Sequence, residues 1–189
     1  MQLKNDASRY GAVAQLFHWA VAVLIIVQFV LARRADALPL GPAKIQVLAQ
    51  HKSVGITILG LMLLRLLWRW INVVPPEPPN VPAWQRIAAR ISHVALYVLL
   101  LVTPVVGWLM SSARNFPVSW FGLLTLPDFI APNKAAYELL HKTHELLAQT
   151  LFWLALLHIA AALKHHFIDK DNVLRRMLPV KLPQETTRP

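Results

Sequence analysis

The stretch "HELLAQTLFWLALLH", residues 144–158, puts a histidine at each end of a largely apolar ladder. It overlaps the longer run "LLAQTLFWLALLHIAAALKHHF", residues 146–167. Three similar blocks precede it: "AVAQLFHWAVAVLIIVQFVLA" (12–32), "SVGITILGLMLLRLLWRWINVV" (53–74) and "ISHVALYVLLLVTPVVGWLMSS" (91–112). Each matches the ~20 residues a helix needs to cross a bilayer. The chain is 56% hydrophobic and 15% charged, against about a quarter charged in a soluble domain. The expectation is an all-α integral membrane four-helix bundle in a single domain, residues 1–189, with transmembrane helices at about 12–32, 50–74, 88–112 and 142–167. A nucleic-acid partner is not expected; the lipid bilayer is.

The first block is not read as a signal peptide. Its apolar core exceeds the ~7–15 residues of a signal h-region, and Arg33 and Arg34 follow it instead of an A-x-A site. Four crossings put both termini on one side. That side collects twelve Lys and Arg residues and the other side seven, so the positive-inside rule places both termini in the cytoplasm.

The connections are uneven. Residues 33–50 contain the breakers Pro39, Gly41 and Pro42. The segment "PPEPPNVPA", 75–83, reads as a stiff extended strap. Residues 113–137, "ARNFPVSWFGLLTLPDFIAPNKAAY", are too apolar for a solvated loop. With Trp120, Phe121, Leu123, Leu124 and Leu126 they predict an interfacial lid on the outer face. Pro104 predicts a kink in the third helix. The tail 169–189 is polar, and disorder is expected at its end.

There are no cysteines, so disulfides, thiolate ligands and covalent c-type haem attachment are excluded. The eight histidines remain as ligands. His144 and His158 are fourteen residues apart, roughly 21 Å along a helix and within about 40° of one face. One metal ion cannot be reached by both, because its ligands must converge. Two cofactors stacked along the membrane normal can. Depth supplies the partners: His51 for His144 on the outer side, and His18 for His158 on the inner side. Bis-histidine ligation from three helices then predicts two non-covalent b-type haems. Gly55, one turn after His51, would let a porphyrin edge approach the helix. His93 is an alternative to His18 and otherwise a hydrogen-bond donor near the inner site. His141 reads as surface. His165 and His166 read as interfacial anchors, with His165 two turns from His158 and within reach of the inner site.

The segments "FHW" (17–19), "HKSVGITILGLMLLRLLWR" (51–69), "HVALYVLLLVTPVVGWLMSSA" (93–113), "PVSWFGLLTLP" (117–127), "HELLAQTLFWLALLHIAAALKHHF" (144–167) and "DNVLRRMLP" (171–179) resemble the bacterial cytochrome b561 family of four-helix di-haem cytochromes b. The resemblance covers nearly the whole chain. It implies axial ligands at His18, His51, His144 and His158. A departure is Asn115, where similar proteins often carry Gly. The chain looks most like the superoxide oxidase branch. That implies an oxidoreductase of the bacterial inner membrane that oxidises periplasmic superoxide and reduces ubiquinone. A basic outer mouth of Lys52, Lys142 and Arg114 would raise the local concentration of a small anion. For each of these residues alone, binding to headgroups or propionates explains the charge nearly as well. The alternative is an electron-relay subunit between the quinone pool and a separate redox partner protein. A histidine-based metal or proton transporter would want carboxylates within the helices, and their interiors have none.

Overall fold

A computed structural model describes residues 2–76 and 81–180. Four long helices dominate it: α1 (Ala12–Ala37), α2 (Pro42–Trp70), α3 (Ala83–Ala113) and α4 (Lys134–Phe167). All four are long and apolar enough to cross a membrane. Part of the expected strap (77–80) and the end of the tail (181–189) lie outside the described residues.

The helices overrun their apolar cores. The first continues through Arg33 and Arg34 to Ala37, and the second begins at Pro42. Pro42 is therefore no breaker. It occupies the first helical turn, where the missing N–H costs nothing, and the connection shrinks to residues 38–41. The second helix stops at Trp70, short of 74. The fourth starts at Lys134, capped by Asn133, whose side chain accepts from the Ala136 N–H at 2.9 Å. His51 and His144 consequently lie well inside their helices and not at their ends.

The third helix runs through Pro104 and ends in a Schellman motif. Phe116 N–H donates to Ser111 O at 3.0 Å and Asn115 N–H to Ser112 O at 3.0 Å. Asn115 sits at φ 55°. Asparagine is the common substitute for glycine at this left-handed position, so Asn115 preserves the turn.

Residues 114–133 form the lid. It contains a two-stranded hairpin, β1 (Ser119–Trp120) and β2 (Leu124–Thr125), with Ser119 paired to Thr125 and Trp120 to Leu124. Phe121 (φ 48°) and Gly122 (φ 75°) make the turn. Positive φ at both central residues matches the twist of a hairpin. The hairpin is fastened to α2: Trp120 Nε1 donates to Thr57 Oγ1 at 3.0 Å, and Phe121 N–H to Ser53 Oγ at 3.0 Å. Val118 is 1% exposed beneath it, while Phe121, Leu123 and Leu124 face outward. That is the pattern of a lid with one apolar face left for lipid.

At the opposite end, the termini meet. Tyr10 N–H donates to Arg176 O, Trp19 Nε1 to Met177 O, and Gln15 Nε2 to the carbonyls of Arg176 and Leu178. Gly11 is required here, because a Cβ would strike the Leu3 and Lys4 carbonyl oxygens.

Within the bundle α1 packs along α2, α3 along α4, and α2 against α3. The core is thin. It gathers Val21, Leu31, Ile58, Met62, Leu99 and Leu151, and Leu151 is the only fully buried residue of α4. Large apolar side chains such as Val23, Ile26, Leu63, Val98, Trp153 and Leu157 face outward. In water this surface would be untenable; against lipid tails it is the expected exterior.

Candidate functional site

The four histidines expected to act together converge in two pairs. His51 of α2 and His144 of α4 have ring centroids 6.2 Å apart with planes at 75°. His18 of α1 and His158 of α4 are also 6.2 Å apart, at 66°. A metal between two imidazoles needs about 2.0 Å to each nitrogen, and each nitrogen lies about 1.1 Å from its ring centre, so about 6.2 Å in all. Each pair therefore accommodates one bis-imidazole iron. His93 of α3 lies 5.4 Å from His158, closer than that linear arrangement requires.

The first pair opens onto a cavity of ≈ 270 Å³ near the hairpin end. Two glycines shape it. Gly107 of α3 faces His144: a Cβ there would lie 3.0 Å from the ring's Cε1 and 3.2 Å from Nδ1. Without that Cβ the ring reaches α3, and its Nδ1 donates to Thr103 O at 3.1 Å. This bond fixes the proton on Nδ1 and leaves Nε2 free to ligate, as is usual for metal-binding histidines. Gly55 lines the same cavity, and its near neighbour is the Gln28 amide, 3.2 Å from a would-be Cβ. Gln28 donates to the His51 carbonyl at 3.0 Å. His51 Nδ1 is buried without a hydrogen-bond partner. A ring poised in this way, beside a cavity, suits an iron porphyrin better than it suits a packed core.

The basic residues divide. Lys52 and Arg114 line the cavity, joined by Lys44 and by His141. Lys52 Nζ donates to Phe116 O at 2.7 Å and Pro117 O at 3.3 Å, and it sits 3.2 Å over the Phe116 ring. Arg114 donates to Tyr137 Oη at 2.7 Å. Lys142 is exposed on the outside of α4 and is not among the lining residues, because it points away from the face that carries His144. His141, expected at the surface, is half-buried and lines the cavity, 3.7 Å from Glu145.

Near the termini, Arg65 of α2 reaches His18: its Nη1 lies 3.1 Å from His18 Nδ1, and its Nε donates to Tyr97 Oη at 3.0 Å. His165, two turns beyond His158, is bound to Asp171 at 2.6 Å and Asp169 at 3.3 Å. Its anchoring partners are thus these two carboxylates.

Gly107, Thr103, Gln28 and Arg65 were not singled out from the sequence. Gln28 carried a signal, as a lone amide within "VLIIVQFVLA". Gly107 carried a weaker one, a glycine three residues after Pro104.

A family model for prokaryotic cytochrome b561 matches residues 9–180. The chain belongs to the prokaryotic cytochrome b561 family. It is 36% identical over 179 residues to cytochrome b561 homolog 2 of Escherichia coli K12, covering 94% of this chain and 95% of that one. It is 30% identical to cytochrome b561 homolog 1 of the same organism, covering 91% and 98%. It is 32% identical over 178 residues to a protein named probable superoxide oxidase CybB in Yersinia pestis, covering 92% and 97%. Like the rest of this cytochrome b561 family, the protein binds b-type haem and transfers electrons across a membrane, and its four membrane-capable helices together with its family mark it as a multi-pass inner-membrane protein.

Proposed function

We propose that this cytochrome b561 holds two b-type haems, at His51/His144 near the hairpin and at His18/His158 near the termini. We further propose that it carries electrons from periplasmic superoxide to ubiquinone. The observation that carries the reading is the repeated 6.2 Å spacing of the two histidine pairs. In this reading the termini are cytoplasmic and the hairpin is periplasmic, in line with the distribution of Lys and Arg.

When bound, each haem supplies a one-electron iron couple. The chain's residues do the rest. His144 is held in the ligating tautomer by Thr103 O and given room by Gly107. Lys44 and Arg114 line the mouth and draw a small anion toward it. The lid segment before the hairpin lines the site through Phe116 and Val118. Superoxide loses one electron and leaves as dioxygen. Ubiquinone takes up two electrons and two protons, so two superoxide ions are consumed per quinol. The relative named a probable superoxide oxidase supports superoxide as the electron donor.

The test is a reduced-minus-oxidised visible spectrum with haem quantitation on the purified chain, followed by stopped-flow reduction with superoxide. Two haems per chain, and quinone reduction dependent on superoxide, are expected. A haem-free protein would refute the ligand assignment. Two haems that superoxide cannot reduce would leave the relay-subunit reading in its place.

A further inference from the structure

We propose that Arg65 is a positioning residue for the cofactor at the termini end: it pairs with the cofactor's anionic edge and raises its reduction potential. This rests on the reading of His18 and His158 as a ligand pair.

A guanidinium has donors only. In its contact with Arg65 at 3.1 Å, His18 Nδ1 therefore accepts, and the ring proton sits on Nε2. A metal-bound imidazole gives one nitrogen's lone pair to the metal and keeps the N–H on the other. If His18 ligates through Nδ1, Arg65 must leave that lone pair. If it ligates through Nε2, the proton moves to Nδ1 and repels the same guanidinium. Either route releases Arg65.

The two ligand sites are thus set differently. His144 already donates to Thr103 O with its second nitrogen free. His18 Nδ1 instead faces the Arg65 guanidinium.

A released Arg65 needs an anion. Its other hydrogen bond goes to a neutral phenol, Tyr97 Oη at 3.0 Å, and no ion pair joins it to a carboxylate among the described residues. Arg69, one turn along, lies over the same Tyr97 ring at 5.9 Å, which adds positive charge to the spot. An arginine within a membrane-spanning helix is costly unless an anion accompanies it. A b-type haem carries two propionate carboxylates on one edge, and planar carboxylates are the preferred partner of a guanidinium. Retained beside the iron, the fixed positive charge favours the reduced state.

The experiment is a redox titration of the purified full-length holoprotein, followed in the visible spectrum, on wild type, R65Q, R65K and H18A. H18A identifies the termini-end component as the one it loses. The expected result is that R65Q lowers the potential of that component by on the order of tenfold in its reduction equilibrium, about 59 mV for a one-electron couple. The other component should stay in place, and R65K should recover most of the shift. An unmoved component in R65Q, or equal movement of both, overturns the proposal. If R65Q purifies with one haem, R65K decides: a retained second haem supports the role of the charge, and its loss overturns it. If H18A keeps two haems, the ligand reading itself fails and the Arg65 role falls with it.

Discussion

Replacing Gly107 with alanine inserts one methyl group between two helices at the point where a ligand is set. The new Cβ would stand 3.0 Å from His144 Cε1 and 3.2 Å from Nδ1. Relaxed carbon contacts need about 3.5–4.0 Å, so the imidazole must retreat by about half an ångström or more. Its 3.1 Å bond to Thr103 O then stretches past the useful range for N–H···O bonds. Losing that bond costs about 1 kcal/mol, and losing the orienting partner of a metal-bound histidine costs about 10–100-fold in affinity. Alanine meanwhile favours the helix by about 1 kcal/mol over glycine, so the apo-protein should not be destabilised. The expected outcome is roughly tenfold weaker haem binding at the hairpin end with no loss of apo-protein melting temperature. Haemin titration of apo-protein, with differential scanning of the same samples, measures both. Wild-type affinity and two full haems in G107A would refute the argument that this glycine seats the ligand.

Other substitutions separate neighbouring roles. K142Q should leave the superoxide rate and its salt dependence unchanged, since Lys142 lies outside the cavity, whereas R114Q should lower the rate about twofold or more and flatten its salt dependence; stopped-flow at several ionic strengths reads both. Trp120→Phe removes the bond to Thr57 Oγ1 and should loosen the lid by about 1 kcal/mol, seen as faster hydrogen exchange across residues 114–133. Asp6 accepts hydrogen bonds from the Ser8 hydroxyl, the Arg9 N–H and the Gln2 amide, which hold its carboxyl below the ordinary range. A depressed folded pKa stabilises above the unfolded value and is lost as pH falls through the folded one. Protection of the N-terminal segment should therefore persist to more acidic pH than an ordinary carboxylate allows, and D6N should remove that dependence in exchange experiments run across acidic pH.

The helices and the pairing of the histidines were legible because they depend on short-range regularities. Four apolar runs of spanning length name the helices, and a fourteen-residue interval on α4 with matched depths on α1 and α2 names the pairs. Helix ends were less legible. Arg33, Arg34 and Lys44 look like loop residues, yet helical hydrogen bonding continues through them into the interfacial zone, where long side chains can reach water. What escaped the sequence is the register between helices. Gly107 matters because His144 faces it, and Arg65 because His18 does. Both relations hold across helix pairs, and no one-dimensional pattern encodes which faces meet. Lys142 was misplaced for a related reason: proximity to His144 along the chain says nothing about the face it occupies.

His51, Lys52 and Ser53 are consecutive, and each does a different job. The first contributes the ring, the second grips the carbonyls of residues 116 and 117, and the third receives the hairpin turn through the Phe121 N–H. The loop and the ligand therefore form a single mechanical unit on one turn of α2. Grafting the hairpin of a relative onto this chain would transplant only half a joint. Chimaeras that exchange residues 114–133 together with 51–53 should assemble, while those that exchange the loop alone should carry its misfit straight to His51.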